Sequence, residues 1–289
     1  MEIQSVIEIR ELQKSYQGFL LDLPALQIPK GFATALIGEN GAGKSTLLNI
    51  LAGIRLDYRG TLAYFNGETD ESLIREQIAY TGTGNYFMPH WTVTQIAEVS
   101  SLLFEHFHRD RYQAICQELG VTAEDKRVRN LSDGMRMKVA LAAAFARDTK
   151  LLLLDEPASP LDPLMRDKLC SMLQDYLEDG ERSVLFSTHN ISDMEQVTDY
   201  AIIMEQGRVV EQGFVEDLKE RYILVRGEAV DADRAQDILY SFRQNSYGYE
   251  GLCRSENLDR LAGMDISIET PTLSQISVAV MKQYTGLKM

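Results

Sequence analysis

The chain has 289 residues and carries 43 acidic against 29 basic side chains, a formal net charge of −14. That length buries a large core and suits one main domain with a smaller appendage, while the acidic balance argues against a broad nucleic-acid-binding face. The three cysteines, Cys116, Cys170 and Cys253, form neither a disulfide framework nor a zinc pattern, so reduced cytosolic thiols buried as small apolar residues are expected. Met1, Glu2, Ile3 and Gln4 do not begin a basic stretch followed by an apolar run, so no secretory signal is expected. The longest apolar stretches, around 139–146 and 151–154, are too short to cross a bilayer, so any membrane role would run through a partner.

Residues 5–11 partly alternate and predict a strand, with Ile7 and Ile9 on one side and Val6, Glu8 and Arg10 on the other. A turn over 14–18 holds Tyr16, whose ring either stacks on an adenine or is an ordinary turn tyrosine. A second strand follows over 20–28, then a turn at Lys30 and Gly31, then a buried strand over 32–37. That strand enters Gly38, Glu39, Asn40, Gly41, Ala42, Gly43, Lys44, Ser45 and Thr46, which fit G-x-x-x-x-G-K-[ST], the phosphate-binding loop of nucleoside triphosphatases. The glycines let the backbone curl until several N–H groups point at one anion. Lys44 supplies a point charge for the β- and γ-phosphates, Ser45 a hydroxyl for magnesium, and a helix over 45–51 its positive end.

Further strands are predicted over 60–65, closed by the tight-turn pair Asn66 and Gly67, and over 78–80. The loop over 81–91 gathers Tyr86, Phe87, Pro89, His90 and Trp91, which form either a docking surface or a cover over the core. Thr92 and Gln95 make a capping box for helical pattern over 96–119, stopped by Gly120; His106 and His108 fall on different faces of it and read as surface residues. Leu131, Ser132, Asp133, Gly134 and Met135 open a helix to about 147. The apolar run 151–154 suits a parallel strand covered on both faces, ending at Asp155 and Glu156. Asp162 and Pro163 start a helix that finishes near Gly180. A strand over 183–186 leads to Ser187, Thr188 and His189; a short helix, a strand over 201–204, a turn at Gln206 and Gly207, and a partner strand over 208–211 follow. After 213 the alternation weakens, and 214–289 reads as a small mixed appendage with strand-like pieces at 222–225 and 266–268.

The glycine loop, the acid pair Asp155 and Glu156, the Leu-Ser-x-Gly at 131–134, the segment 159–162 and His189 stand in an order that strongly resembles the nucleotide-binding subunit of ABC transporters over about residues 5–213. The pattern is most similar to bacterial drug- or peptide-exporter ATPases. The resemblance implies an α/β, P-loop NTPase fold of ABC type: a mainly parallel core sheet, an antiparallel β subdomain, a helical subdomain at about 84–147, and an ATPase domain over 1–213 followed by a small C-terminal α+β accessory region over 214–289. It implies ATP and Mg2+ as ligands. Lys44, Glu156 and His189 would be catalytic, and Ser45 and (through water) Asp155 would hold the metal. Tyr16 would stack the adenine, and Ser132 and Gly134 would face the nucleotide of a second subunit in a homo- or heterodimer. A separate transmembrane permease subunit is the implied partner, with the chain peripheral on the cytoplasmic face of the membrane and no nucleic acid bound. A soluble ABC-type ATPase acting on ribosome or DNA, and an ATP sensor with little turnover, are the rival readings.

Three departures from the family pattern stand out. Where the family has a glutamine after the strand at 78–80, this chain has Thr81, Gly82, Thr83, Gly84 and Asn85, so Thr83 or Asn85 is the candidate substitute. Asp133 replaces a glycine in the signature and is expected to point away from phosphate. Pro160, in the segment 159–162, is expected to stiffen the contact between the two subunits of the dimer.

Overall fold

The computed structural model describes residues 4–82, 87–122 and 125–285. The chain opens with β1 (Ser5–Tyr16) and β2 (Phe19–Pro29), then β3 (Ala33–Ile37), α1 (Lys44–Leu51), β4 (Arg59–Tyr64), α2 (Glu71–Gln77) and β5 (Ile78–Thr81). Next come α3 (Val93–Leu103), α4 (Arg109–Glu118), α5 (Asp133–Phe145), β6 (Leu151–Asp155), α6 (Pro163–Leu177) and β7 (Ser183–Thr188). The rest is β8 (Tyr200–Glu205), β9 (Arg208–Phe214), α7 (Val215–Arg221), β10 (Tyr222–Glu228), α8 (Ala232–Gln236), β11 (Tyr240–Gln244), β12 (Gly248–Arg254), β13 (Ile266–Glu269) and α9 (Leu273–Thr285).

The central sheet has the order β5-β6-β7-β3-β8-β9, parallel except for the β8–β9 hairpin. Every residue of β3, β6 and β7 is buried, as continuous apolar strands covered on both faces require. The period-two alternation sorts them cleanly. Leu36, Leu151, Leu153, Leu185 and Ile202 share one core with Leu47, Leu48 and Leu51 of α1 and with the antiparallel sheet β2-β1-β4. Leu152, Leu154, Val184, Phe186 and Ile203 face the other core, with α3 to α6.

Helix starts agree with the capping chemistry. Thr92 and Gln95 form the capping box of α3; Ser132 accepts from the Met135 N–H at the start of α5; Asp162 accepts from the Met165 N–H before Pro163 at α6. Two expectations are corrected. The helical pattern 96–119 is broken at 104–108, because Phe107 forms a β-bridge with Arg147 and the His108 N–H donates to the Ala146 carbonyl at 2.8 Å. His106 and His108 therefore sit in a link, and His108 pairs with Asp148 at 2.7 Å. Tyr16 ends β1 and is not in the turn.

Beyond β9 the chain builds a four-stranded antiparallel sheet, β11-β12-β10-β13, with its own small core around Val225, Leu239, Tyr249 and Cys253. Helix α9 does not stay with that sheet alone. Its Leu273, Ile276, Ala279 and Val280 belong to the main core together with Ile191, Met194 and Val197.

Candidate active site

The glycine loop lies between the end of β3 and the start of α1, and its shape depends on close backbone approach. A Cβ on Gly38 would sit 2.5 Å from the Met204 carbonyl oxygen, and Gly43 has φ +106. From below, the β8–β9 turn props the loop: the Gly207 N–H donates to the Ala42 carbonyl at 3.0 Å, and Gly207 accepts from the Asp22 N–H at 2.8 Å. The first-turn N–H groups of α1 have no carbonyl of their own helix to bond and open onto the cleft. Lys44, 5% exposed, donates to the carbonyls of Gly38 at 2.6 Å and Glu39 at 3.1 Å.

A cleft of about 610 Å³ runs over this loop, lined by Tyr16, Phe19, Glu39, Asn40, Gly41, Gly43, Lys44, Ser45, Thr46 and Glu156. Tyr16 stands at its outer end, 39% exposed, with the Lys14 Nζ 5.0 Å and the Arg55 guanidinium 5.5 Å from its ring. Phe19 and the two cations are site neighbours that sequence reasoning missed; the position of Phe19 across the hairpin from Tyr16 was the available signal.

The acid pair departs from the expected geometry. Strand β6 ends at Asp155, and Glu156 has φ +52, so it is not the next residue of an extended strand. That left-handed backbone costs about 1–2 kcal/mol for a residue with a Cβ. It swings the carboxylate over the loop: Oε1 lies 3.5 Å from the Lys44 Nζ and Oε2 lies 2.8 Å from the His189 Nδ1. Lys44, Glu156 and His189 are thus brought together. Asp155, 2% exposed, lies behind them, its Oδ1 accepting from the Ser187 hydroxyl at 2.5 Å. The Ser187 Oγ also accepts the Glu156 N–H at 2.9 Å. Ser187 therefore holds both acids, a role unseen in sequence although the residue stands two before His189.

Ser132 and Gly134 do not line the cleft of their own chain. Ser132 caps α5 and Gly134 lies in its first turn, where a Cβ would meet the Pro160 carbonyl oxygen at 2.8 Å. Asp133 is exposed and drawn back by Arg136 at 2.9 Å, pointing outward as expected. Thr83 and Asn85, and with them Tyr86, lie outside the described residues; Phe87 and Trp91 pack on the main core while Pro89 and His90 are exposed.

A model of the family described as ABC transporter matches residues 21–159. The chain is 32% identical over 200 residues to the thiamine import ATP-binding protein ThiQ of Salmonella choleraesuis, covering 67% of this chain and 84% of that protein. It is 29% identical over 255 residues to human ATP-binding cassette sub-family A member 10, covering 82% of this chain but 16% of that protein. Among solved structures, the ATP binding subunit of an ABC transporter is matched at 25% identity and TM-score 0.64, over 74% of this chain and 92% of that one.

Proposed function

Because this chain belongs to the ABC transporter ATP-binding family, we propose that it hydrolyses ATP to power a transporter whose membrane-spanning part is a separate permease subunit. The observation that carries this reading is the Glu156 carboxylate, held between Lys44 and His189 over a glycine loop.

Each residue then has a task. Tyr16 stacks the adenine. The backbone of Gly38, Glu39, Asn40, Gly41, Ala42, Gly43, Lys44, Ser45 and Thr46 wraps the phosphates, and the Lys44 ammonium leaves its loop carbonyls to pair with the β- and γ-oxygens. Ser45 and Asp155 offer only hard oxygen donors, a set that fits Mg2+; bound there, the ion would offset phosphate charge. Glu156 accepts a proton from the water whose oxygen attacks the γ-phosphorus, while the bond to the bridging oxygen breaks and that oxygen leaves with ADP. His189, with Nδ1 on Glu156, keeps its other ring nitrogen for the γ-phosphate. Ser132 and Gly134, turned away from their own cleft at a helix N-terminus, face the γ-phosphate bound by the second subunit of a homo- or heterodimer.

We divide the chain into an ATPase unit over 1–213, with its helical subdomain at about 84–147, and an accessory region over 214–289. The permease docks on the groove of about 370 Å³ between the end of α1, α2 and β5, where Phe104 and Arg147 also line the wall and Ile54 and Leu56 are exposed. Docked there, the chain would lie on the cytoplasmic face of the membrane. No helix among the described residues is long and apolar enough to cross a membrane. The direction assigned is export of a drug, peptide or similar compound, on the resemblance drawn from the motifs.

The test is magnesium-dependent ATP hydrolysis by the full chain against Glu156→Gln, with membrane proteins that copurify with the ATP-loaded variant identified. A multi-span protein and loss of turnover in the variant support the reading. No hydrolysis even with the partner, or equal turnover in the variant, overturns it. Copurifying ribosomes replace it with the soluble ATPase, and uptake into inverted vesicles of that permease decides the direction.

A further inference from the structure

We propose that α9 is a positioning element for the His189 switch, acting through Glu195. The proposal rests on the ATP-hydrolysis reading above and gives residues 214–285 a place in the reaction.

His189 leaves the C-terminal end of β7, and the chain after it has little regular structure of its own, only the single turns 191–193 and 195–197. Such a segment holds its shape through what it touches. On one side Asp193 pairs with Arg166 of α6 at 2.6 Å. On the other it leans on α9. Ile191, Met194 and Val197 are buried in one core with Leu273, Ile276 and Ala279, and the Glu195 Oε1 accepts the Leu273 N–H at 2.9 Å.

The rest of the α9 terminus caps itself. The Thr272 hydroxyl accepts from the Gln275 N–H at 3.2 Å, and the Gln275 Oε1 accepts from the Thr272 N–H at 2.9 Å. Glu195 thus takes an N–H that the local capping box leaves over, and its charge faces the positive end of a 13-residue helix. Two independent contacts, one apolar and one polar, tie the segment after His189 to a helix that arrives from the far end of the chain. Helix α9 also packs on β11 and β12, so the four-stranded sheet is joined to the same strut.

The split of roles follows. Tyr16, Lys44 and Ser45 line the cleft over the glycine loop, and no residue of this strut is among the residues lining it. His189 and, 2.8 Å from it, Glu156 depend on where the segment sits. Loosening Glu195 therefore affects turnover and leaves substrate capture intact.

The experiment is steady-state Mg-ATP hydrolysis by the full chain, with its permease, as wild type, Glu195→Ala and Glu195→Gln, with a melting temperature for each. Glutamine keeps an Oε1 acceptor and alanine does not. The alanine variant is expected to lose about 5–10-fold in kcat with KM within about 2-fold, and the glutamine variant to retain at least about half of the wild-type kcat. Unchanged kcat in the alanine variant overturns the proposal. So does an equal loss in both variants, or a kcat loss matched by a rise in KM, which marks plain destabilisation. A wild-type chain without hydrolysis is a different result: it overturns the ATP-hydrolysis reading, and this inference with it.

Discussion

Glu156 shows how a single backbone angle makes a site. Its identity and its place after Asp155 were legible in the sequence; its direction was not, because φ +52 is a backbone turn that no residue beside it announces, and the hydroxyl that holds its N–H there, Ser187, lies on another strand. Replacing that hydroxyl strips one bond from Asp155 and one from Glu156 at once. Ser187→Ala is expected to lower stability by about 1–3 kcal/mol, read from denaturant midpoints, and to weaken Mg-ATP binding. Glu156→Gln keeps shape and loses the proton acceptor, so turnover falls by about 100-fold or more while nucleotide binding persists. Glu205, at the end of β8 under the glycine loop, is a buried acid whose pKa is raised above 4.5, first by burial and then by the nearby charge of Glu39. An acid raised in the folded state is penalised once it must ionise, so folding loses stability as pH rises through and above 4.5. Glu205→Gln is expected to melt higher than wild type at about pH 7–8, with the difference closing as pH falls into the acid range.

At the scale of elements, what was legible was local. The starts of α3, α5 and α6 follow from side chains within three residues of the helix end, so Thr92, Ser132 and Asp162 announced them. The buried runs of β3 and β6 announced a parallel sheet through composition alone. What was not legible was distant. The gap between α3 and α4 exists because Phe107 pairs with Arg147, and nothing near Phe107 says so. The docking of α9 onto the segment after His189 is likewise a contact between ends of the chain far apart in sequence. The seat of α5 against the loop before α6 belongs to the same class: Gly134 is needed there because a Cβ would lie 2.8 Å from the Pro160 carbonyl. Gly134→Ala is expected to leave ATP binding by the isolated chain unchanged and to cut hydrolysis by about 10-fold, measured by nucleotide titration beside an ATPase assay.

For the whole molecule, the two faces of the central sheet divide the work. One face packs α1 and the β2-β1-β4 sheet behind the glycine loop; the other gathers α3 to α6 and α9. The proposed docking groove opens beside the end of α1, where Leu56 is 72% and Ile54 56% exposed, both in the groove wall. Leu56→Glu is expected to shift the protein from the membrane pellet to the supernatant without changing ATP binding. Strand order carries a consequence of another kind. The two neighbours of β3 in the sheet are β7 and β8, which emerge from the ribosome long after it. At roughly 5–20 residues per second, β3 waits roughly 7–30 s for its first neighbour. During synthesis the β1–β2 hairpin closes early, but the nascent loop has no frame, so the growing chain holds no working ATP site until β8 is made.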